Sequence, residues 1–238
     1  MITGNKSFGE MVIRFYKSLR FRAELPAGIE VMNPVSDPVS FKVFSEFYGK
    51  FFSDTKERVF LFGINPGRFG GGITGIPFTD PIKLEEECGI RNPFNKRPET
   101  SADFIYKMIE RWGGVKKFYS SFYITAISPL GFTRNGNNFN YYDDRELLER
   151  VEGFVVNSIK KQLSFPCRRE KAICIGTGKN LEHFNRLNEK HSFFDEIIAL
   201  PHPRFIMQYR RRKLNDHIEE YIDVLKKALK DSSFKNNK

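Results

Sequence analysis

Cysteine is nearly absent from the 238-residue chain: Cys88, Cys167 and Cys174 stand far apart and odd in number. They cannot build a disulfide framework or a four-thiolate metal or iron–sulfur site, and they point to a reduced, intracellular protein. Long apolar runs are missing as well. No window approaches the roughly 20 apolar residues that a membrane span requires, and "MITGNKSFGEM" at the start lacks a basic region followed by an apolar run. A soluble chain with no membrane association is expected. Acid is the scarcer charge, 29 Asp and Glu against 39 Lys and Arg, and the resulting net charge of +10 favours a polyanionic partner such as nucleic acid. Tryptophan occurs once, yet there are 25 Phe and 9 Tyr. Most of these recur at helix or strand spacing and belong to a core, which leaves a few to stack on bases.

What is present is an alternation of elements. "RVFLFGI" (Arg58 to Ile64), "SFYITAI" (Ser121 to Ile127), "KAICIGT" (Lys171 to Thr177) and "EIIAL" (Glu196 to Leu200) are continuously apolar, as strands covered on both faces should be. Helical spacing separates them. Thr100 with Asp103 resembles a capping box opening a helix that carries Phe104, Ile105, Met108, Ile109 and Trp112 on one face. Asp144 to Leu163, "GKNLEHFNRLNEK", and a C-terminal stripe of Leu214, Ile218, Tyr221 and Leu225 predict three more, and "FGEMVIRFYKSLRF" and "SFKVFSEFYGKFF" two ahead of the first strand. The expectation is a three-layer α/β/α fold around a central four-stranded, mainly parallel sheet in a single domain. Residues 1–57 form its N-terminal helical part, 58–230 the core, and 231–238 a disordered tail. Ligands of such a sheet bind beyond the carboxyl ends of the strands, which selects the loops 65–78, 128–140, 176–180 and 201–213.

Two of these loops are rich in glycine, but neither fits a nucleotide cofactor. "GINPGRFGGG" lacks the Gly-Lys-Ser/Thr ending of a phosphate loop, and in "GTGKNL" Leu181 replaces the last glycine of a dinucleotide fingerprint. No cofactor and no metal are expected. Of the four histidines, His183, His191 and His217 read as surface residues. His202 lies between two prolines in "LPHPRF" directly behind a strand, so its backbone is stiff and its imidazole is held at a strand end, in a structural or a functional role. The run from Arg204 to Lys213 mixes basic and apolar groups. It suits either a solvated helix face or a surface that holds phosphates and wedges a base step.

Together the motifs resemble a family. Gly63-Ile64-Asn65-Pro66-Gly67 followed by "FGGGITGIPF" resembles the first motif of the uracil-DNA glycosylase superfamily, and "HPRF" resembles the second. Their combination is similar to the single-strand-selective monofunctional uracil-DNA glycosylases. "SPLGFTRNGNN" and "IGTGKNLEHF" match in order and spacing, so the resemblance runs from about Arg58 to Tyr221.

The resemblance implies a monofunctional glycosylase that removes uracil and 5-hydroxymethyluracil from single- and double-stranded DNA, acting as a monomer. A target base is rotated out of the stack. It implies Asn65 as the holder of a water and His202 as the hydrogen-bond donor to the departing base. Gly67, Phe69, Gly70, Gly71 and Phe78 would form the base pocket, Phe78 stacking on the base. Gly178 and Lys179 would receive a phosphate, Arg204 and Phe205 would wedge the duplex, and Arg210 and Arg211 would contact its backbone. The chain departs from the family pattern where an Asn reads the uracil edge: Ala126 stands there, so selection falls to Thr125, Ser128 or backbone amides of the glycine loop. Related readings are a glycosylase for deaminated purines or mismatched thymine, and a non-catalytic nucleic-acid-binding domain.

Overall fold

The computed structural model describes residues 6–230. Four strands form an all-parallel sheet: β2 (Arg58–Gly63), β3 (Phe122–Ala126), β6 (Cys167–Ile175) and β7 (Glu196–Leu200), in the order β3-β2-β6-β7. All four predicted strands are therefore present, and β2 and β3 are buried along their whole length, as their unbroken apolar sequences require. β6 begins four residues earlier than predicted, because Cys167 pairs with Arg58 before the register shifts.

A second sheet was not foreseen. β1 (Ile29–Met32), β4 (Gly131–Arg134) and β5 (Asn137–Phe139) form an antiparallel sheet in the order β1-β4-β5. Asn135 and Gly136 join β4 to β5, both at positive φ, and both are residue types that tolerate the left-handed region of a tight hairpin.

The helices on the sheet are α1 (Phe8–Ser18), α2 (Pro38–Phe51), α5 (Thr100–Trp112), α7 (Arg145–Gln162), α8 (Lys179–His191), α9 (Pro203–Tyr209) and α10 (Leu214–Lys230). Three short ones, α3 (Gly71–Thr74), α4 (Pro81–Glu86) and α6 (Val115–Tyr119), were not predicted. Helix starts follow capping chemistry. Ser7 and Glu10 form a reciprocal capping box on α1, and Asp37, Asp80 and Asp144 each accept the N–H three residues on. The capping box expected at Thr100 is absent. Glu99 is the N-cap, and Asp103 instead pairs with Lys107 one turn on, at 2.5 Å. The predicted tail, 231–238, lies outside the described residues, and no described helix is long and apolar enough to cross a membrane.

One continuous core holds these layers together, with Phe8, Phe52, Phe60, Tyr123 and Phe165 in mutual edge or stacked contact. The glycine loop is seated on this core by close backbone approach. A Cβ on Gly72 would stand 1.9 Å from Gly67 O, and one on Gly131 would stand 2.4 Å from Pro66 O. Gly72 therefore serves loop packing. Gly72→Ala should destabilise the protein by about 3 kcal/mol in urea unfolding, since the obstacle is backbone and cannot swing aside. An unchanged urea midpoint would mean that the loop packs otherwise.

Candidate active site

The carboxyl ends of β2, β3 and β7 open on a cleft of about 550 Å³. Asn65, Gly67, Phe69, Gly71, Phe78, Thr125, Ala126, His202 and Arg204 all line it, so residues far apart in sequence converge on one volume. Gly70 and Ser128 stand outside the lining. Gly70 is buried at φ 58 with the Glu99 carboxylate beside it, and Ser128 donates its hydroxyl to Leu130 O at 2.7 Å.

Asn65 follows β2, and its amide is fixed by backbone from the second sheet. Nδ2 donates to Phe139 O at 3.3 Å and to Pro66 O at 3.2 Å, while Tyr141 N–H donates to Oδ1 at 3.1 Å. Both amide hydrogens are engaged and one oxygen lone pair remains. The free capacity of Asn65 is that of an acceptor.

His202 doubles as the N-cap of α9, with Pro203 in the first turn supplying the φ that the helix needs. Arg204 N–H donates to its Nδ1 at 3.1 Å, which places the ring proton on Nε2. Burial, and then the charge of Arg204, lower its pKa from 6.5 to about 4. The imidazole is a neutral donor at physiological pH. Phe78 holds φ 53 and lies 5.7 Å from the His202 ring, centroid to centroid, with its own ring edge against Gly63 where a Cβ would come within 3.2 Å. Gly63 thus leaves the space that Phe78 occupies.

Sequence reasoning missed part of the lining. Tyr16 enters from α1, Arg97, Glu99, Thr100 and Ser101 from the segment that opens α5, Asn138 and Asn140 from β5 and beyond it, and Gln208 from α9. Asp80 Oδ2 accepts Glu99 N–H at 2.8 Å and so pins this segment to α4. Burial raises the Glu99 carboxyl above its usual range. The Arg97 guanidinium lies over the Phe69 ring at 3.8 Å. No local pattern marks Tyr16 or the 97–101 segment, which are neither strand ends nor glycine-rich, whereas Asn138, Asn140 and Gln208 lie within the strand-end loops 128–140 and 201–213 without having been singled out.

Beside the cleft, α9 exposes Phe205 (44%) and Tyr209 (69%), one helical turn apart with ring centroids at 5.6 Å, and Arg210 lies over Phe205 at 5.6 Å. Among the described residues these are the exposed large aromatics. Arg204, Arg210 and Arg211 are exposed around them. Gly178 and Lys179 are exposed at the head of the 13-residue α8, where backbone N–H groups lack intrahelical partners. His183 corrects the surface expectation: it is buried beside Tyr141, its pKa lowered to about 4 by burial. His191 is the last residue of α8.

The family model described as "Uracil DNA glycosylase superfamily" matches residues 50–226. No curated protein matches the chain. Among solved structures, the crystal structure of wild-type Pedobacter heparinus SMUG2 is 41% identical, with a TM-score of 0.91, over 93% of this chain and 98% of that one. With a four-stranded parallel sheet between helical layers and a match of this extent, the chain belongs to the uracil DNA glycosylase superfamily and is a DNA glycosylase, a hydrolase of N-glycosyl bonds.

Proposed function

We propose that the chain is monofunctional and hydrolyses the N-glycosidic bond of uracil and of 5-hydroxymethyluracil in DNA, leaving an abasic site. The observation that carries this reading is a pair of complementary groups on one cleft: an amide with a single free acceptor at Asn65 and a neutral imidazole with its proton on Nε2 at His202.

The target base leaves the stack at a cost of a few kcal/mol, less where it is mismatched or already single-stranded. Phe78 stacks on it within the cleft. The Asn65 oxygen accepts a hydrogen bond from a water below the sugar and orients it without removing its proton. Such a group suits a bond that breaks largely before attack, through an oxocarbenium-like sugar. His202 Nε2–H donates to the carbonyl oxygen of the departing base and stabilises the negative charge that develops there. The water adds to the sugar carbon and gives up a proton, and the base anion takes one from solvent.

No lysine lines the cleft among the described residues, which supports hydrolysis without an imine intermediate or strand cleavage. Phe205 and Tyr209 are suited to fill the vacated stack, with Arg204, Arg210 and Arg211 on flanking phosphates. Lys179 and the N–H groups that follow Gly178 form a further phosphate seat at the head of α8.

The cleft volume and the small Ala126 side chain favour a second reading, release of deaminated purines. One panel separates the two. Labelled single- and double-stranded oligonucleotides carrying uracil, 5-hydroxymethyluracil, xanthine, hypoxanthine or mismatched thymine are incubated with stoichiometric enzyme and then treated with alkali. Uracil and 5-hydroxymethyluracil strands should break only after alkali. Breakage before alkali refutes the monofunctional assignment, release of purines alone selects the second reading, and survival of every base refutes both.

A further inference from the structure

Tyr16 reaches the cleft from α1, far from any strand-end loop. It is 4% exposed and lines the cleft with Gly63, Thr125 and Ala126. Behind it lies a closed set of hydrogen bonds. Thr125 Oγ1 donates to Gln162 Oε1 at 2.7 Å, and Tyr123 Oη donates to the same oxygen at 3.1 Å. Gln162 is fully buried, and its amide is held the right way round because Nε2 donates to Ser158 O at 3.4 Å within α7.

Two hydroxyl protons thus converge on one carbonyl oxygen, and neither Thr125 nor Tyr123 has another to give. Both hydroxyls lie against the Tyr16 phenol, which burial raises to about 12, so that it stays protonated. Their oxygen lone pairs are the acceptors within its reach. With the Thr125 and Tyr123 protons both committed to Gln162, a Tyr16 proton turned inward would meet only lone pairs, and the Tyr16 oxygen would be left to the cleft as an acceptor.

We infer that Tyr16 is a specificity-determining residue of this pocket, its hydroxyl oxygen accepting the imide N–H of the everted base in the space left by Ala126. The inference rests on the glycosylase reading above. Uracil, its 5-substituted forms and the deaminated purines carry a ring N–H on the edge that would meet Tyr16. Cytosine presents a bare ring nitrogen there, so lone pair would face lone pair. A single hydroxyl supplied by the N-terminal helix thereby separates a deaminated base from its parent.

The test compares wild type with Tyr16→Phe, which removes one oxygen and keeps the ring. Single-turnover release is measured from oligonucleotides carrying uracil or N3-methyluracil, whose imide N–H is replaced by a methyl group, and affinity is measured for abasic-site DNA. Tyr16→Phe should slow uracil release about tenfold, the size expected for one buried hydrogen bond. It should leave N3-methyluracil release and abasic-site affinity unchanged. An undiminished uracil rate overturns the inference, as does an equal slowing on both bases. A wild-type chain that releases no uracil overturns the glycosylase reading along with it, whereas an active wild type with an insensitive Tyr16→Phe refutes the Tyr16 role alone.

Discussion

Replacing Asn65 with alanine should lower the single-turnover rate of uracil release by about 100- to 1,000-fold, while abasic-site DNA binds as before. The size follows from how the amide is held. Three backbone groups, Pro66 O, Phe139 O and Tyr141 N–H, fix its plane, so the remaining oxygen lone pair points in one direction. Alanine leaves the water in the cleft but removes its orientation, and misplacement of a reacting group by about 1 Å is worth roughly a hundredfold. Asn65→Asp sharpens the test. A carboxylate cannot donate to Phe139 O or Pro66 O and would set negative charge against both carbonyls, so its folded-state pKa rises. A raised carboxyl pKa means that stability is lost as pH increases, and the melting temperature of Asn65→Asp should fall relative to Asn65→Ala between pH 5 and 8. Quenched-flow kinetics with thermal melts at each pH reads both effects. An Asn65→Ala rate within a few-fold of wild type would reduce Asn65 to a clasp between the two sheets.

The contrast between the two sheets explains what the sequence could and could not disclose. β2, β3 and the second half of β6 are buried, so their apolar runs are unbroken and announce themselves, and the edge strand β7, only half-buried, is still continuously apolar from Ile197 to Leu200. β1 and β5 are short and half exposed, and β1 sits among prolines in "LPAGIEVMNP"; nothing in four residues with two exposed positions separates a strand from a loop. What fixes these strands is pairing between residues about a hundred positions apart, Ile29 with Arg134 and Met32 with Gly131. A window of sequence does not contain that information.

The cleft follows the same division. Asn65, Phe78 and His202 stand in motifs whose glycines and prolines are legible because each serves a backbone need. Pro201 and Pro203 stiffen the chain on either side of a capping histidine, and Gly63 makes room for a phenyl ring. Tyr16, Glu99 and Asn138 carry no such signature. They arrive through the packing of α1 on α2, the anchoring of Glu99 by Asp80, and the grip of Asn138 Oδ1 on Arg68 N–H at 2.8 Å. His183 was misread for a related reason: the acidic Glu182 beside it in an amphipathic helix suggested an exposed face, yet its own side chain is buried against Tyr141.

His202→Ala should also slow base release by about 100- to 1,000-fold, and the pH dependence identifies the form of the imidazole that acts. With its pKa lowered to about 4 by burial and by Arg204, His202 is neutral from pH 5 upward, and the wild-type rate should be flat from pH 5 to 8. A limb with a midpoint near 6.5 would mean that an imidazolium donates, and it would overturn the neutral-donor mechanism. The same shift fixes the sign of a stability effect. An unfolded histidine takes up a proton as pH drops through 6.5, but the folded one resists until about 4. The unfolded state therefore binds more protons in that interval, and acidification weakens the native protein. His202 contributes this penalty together with His183, whose pKa is lowered to the same value. His202→Gln lacks the titrating group and keeps a neutral N–H donor, so it should lose less stability than wild type between pH 6.5 and 4. It should also recover part of the rate that His202→Ala loses. Equal acid sensitivity in wild type and His202→Gln would show that the imidazole is free to protonate in the folded cleft. A neutral donor aimed at the leaving base requires that it stay unprotonated, with Arg204 N–H on Nδ1 and burial acting together to keep the proton on Nε2 alone.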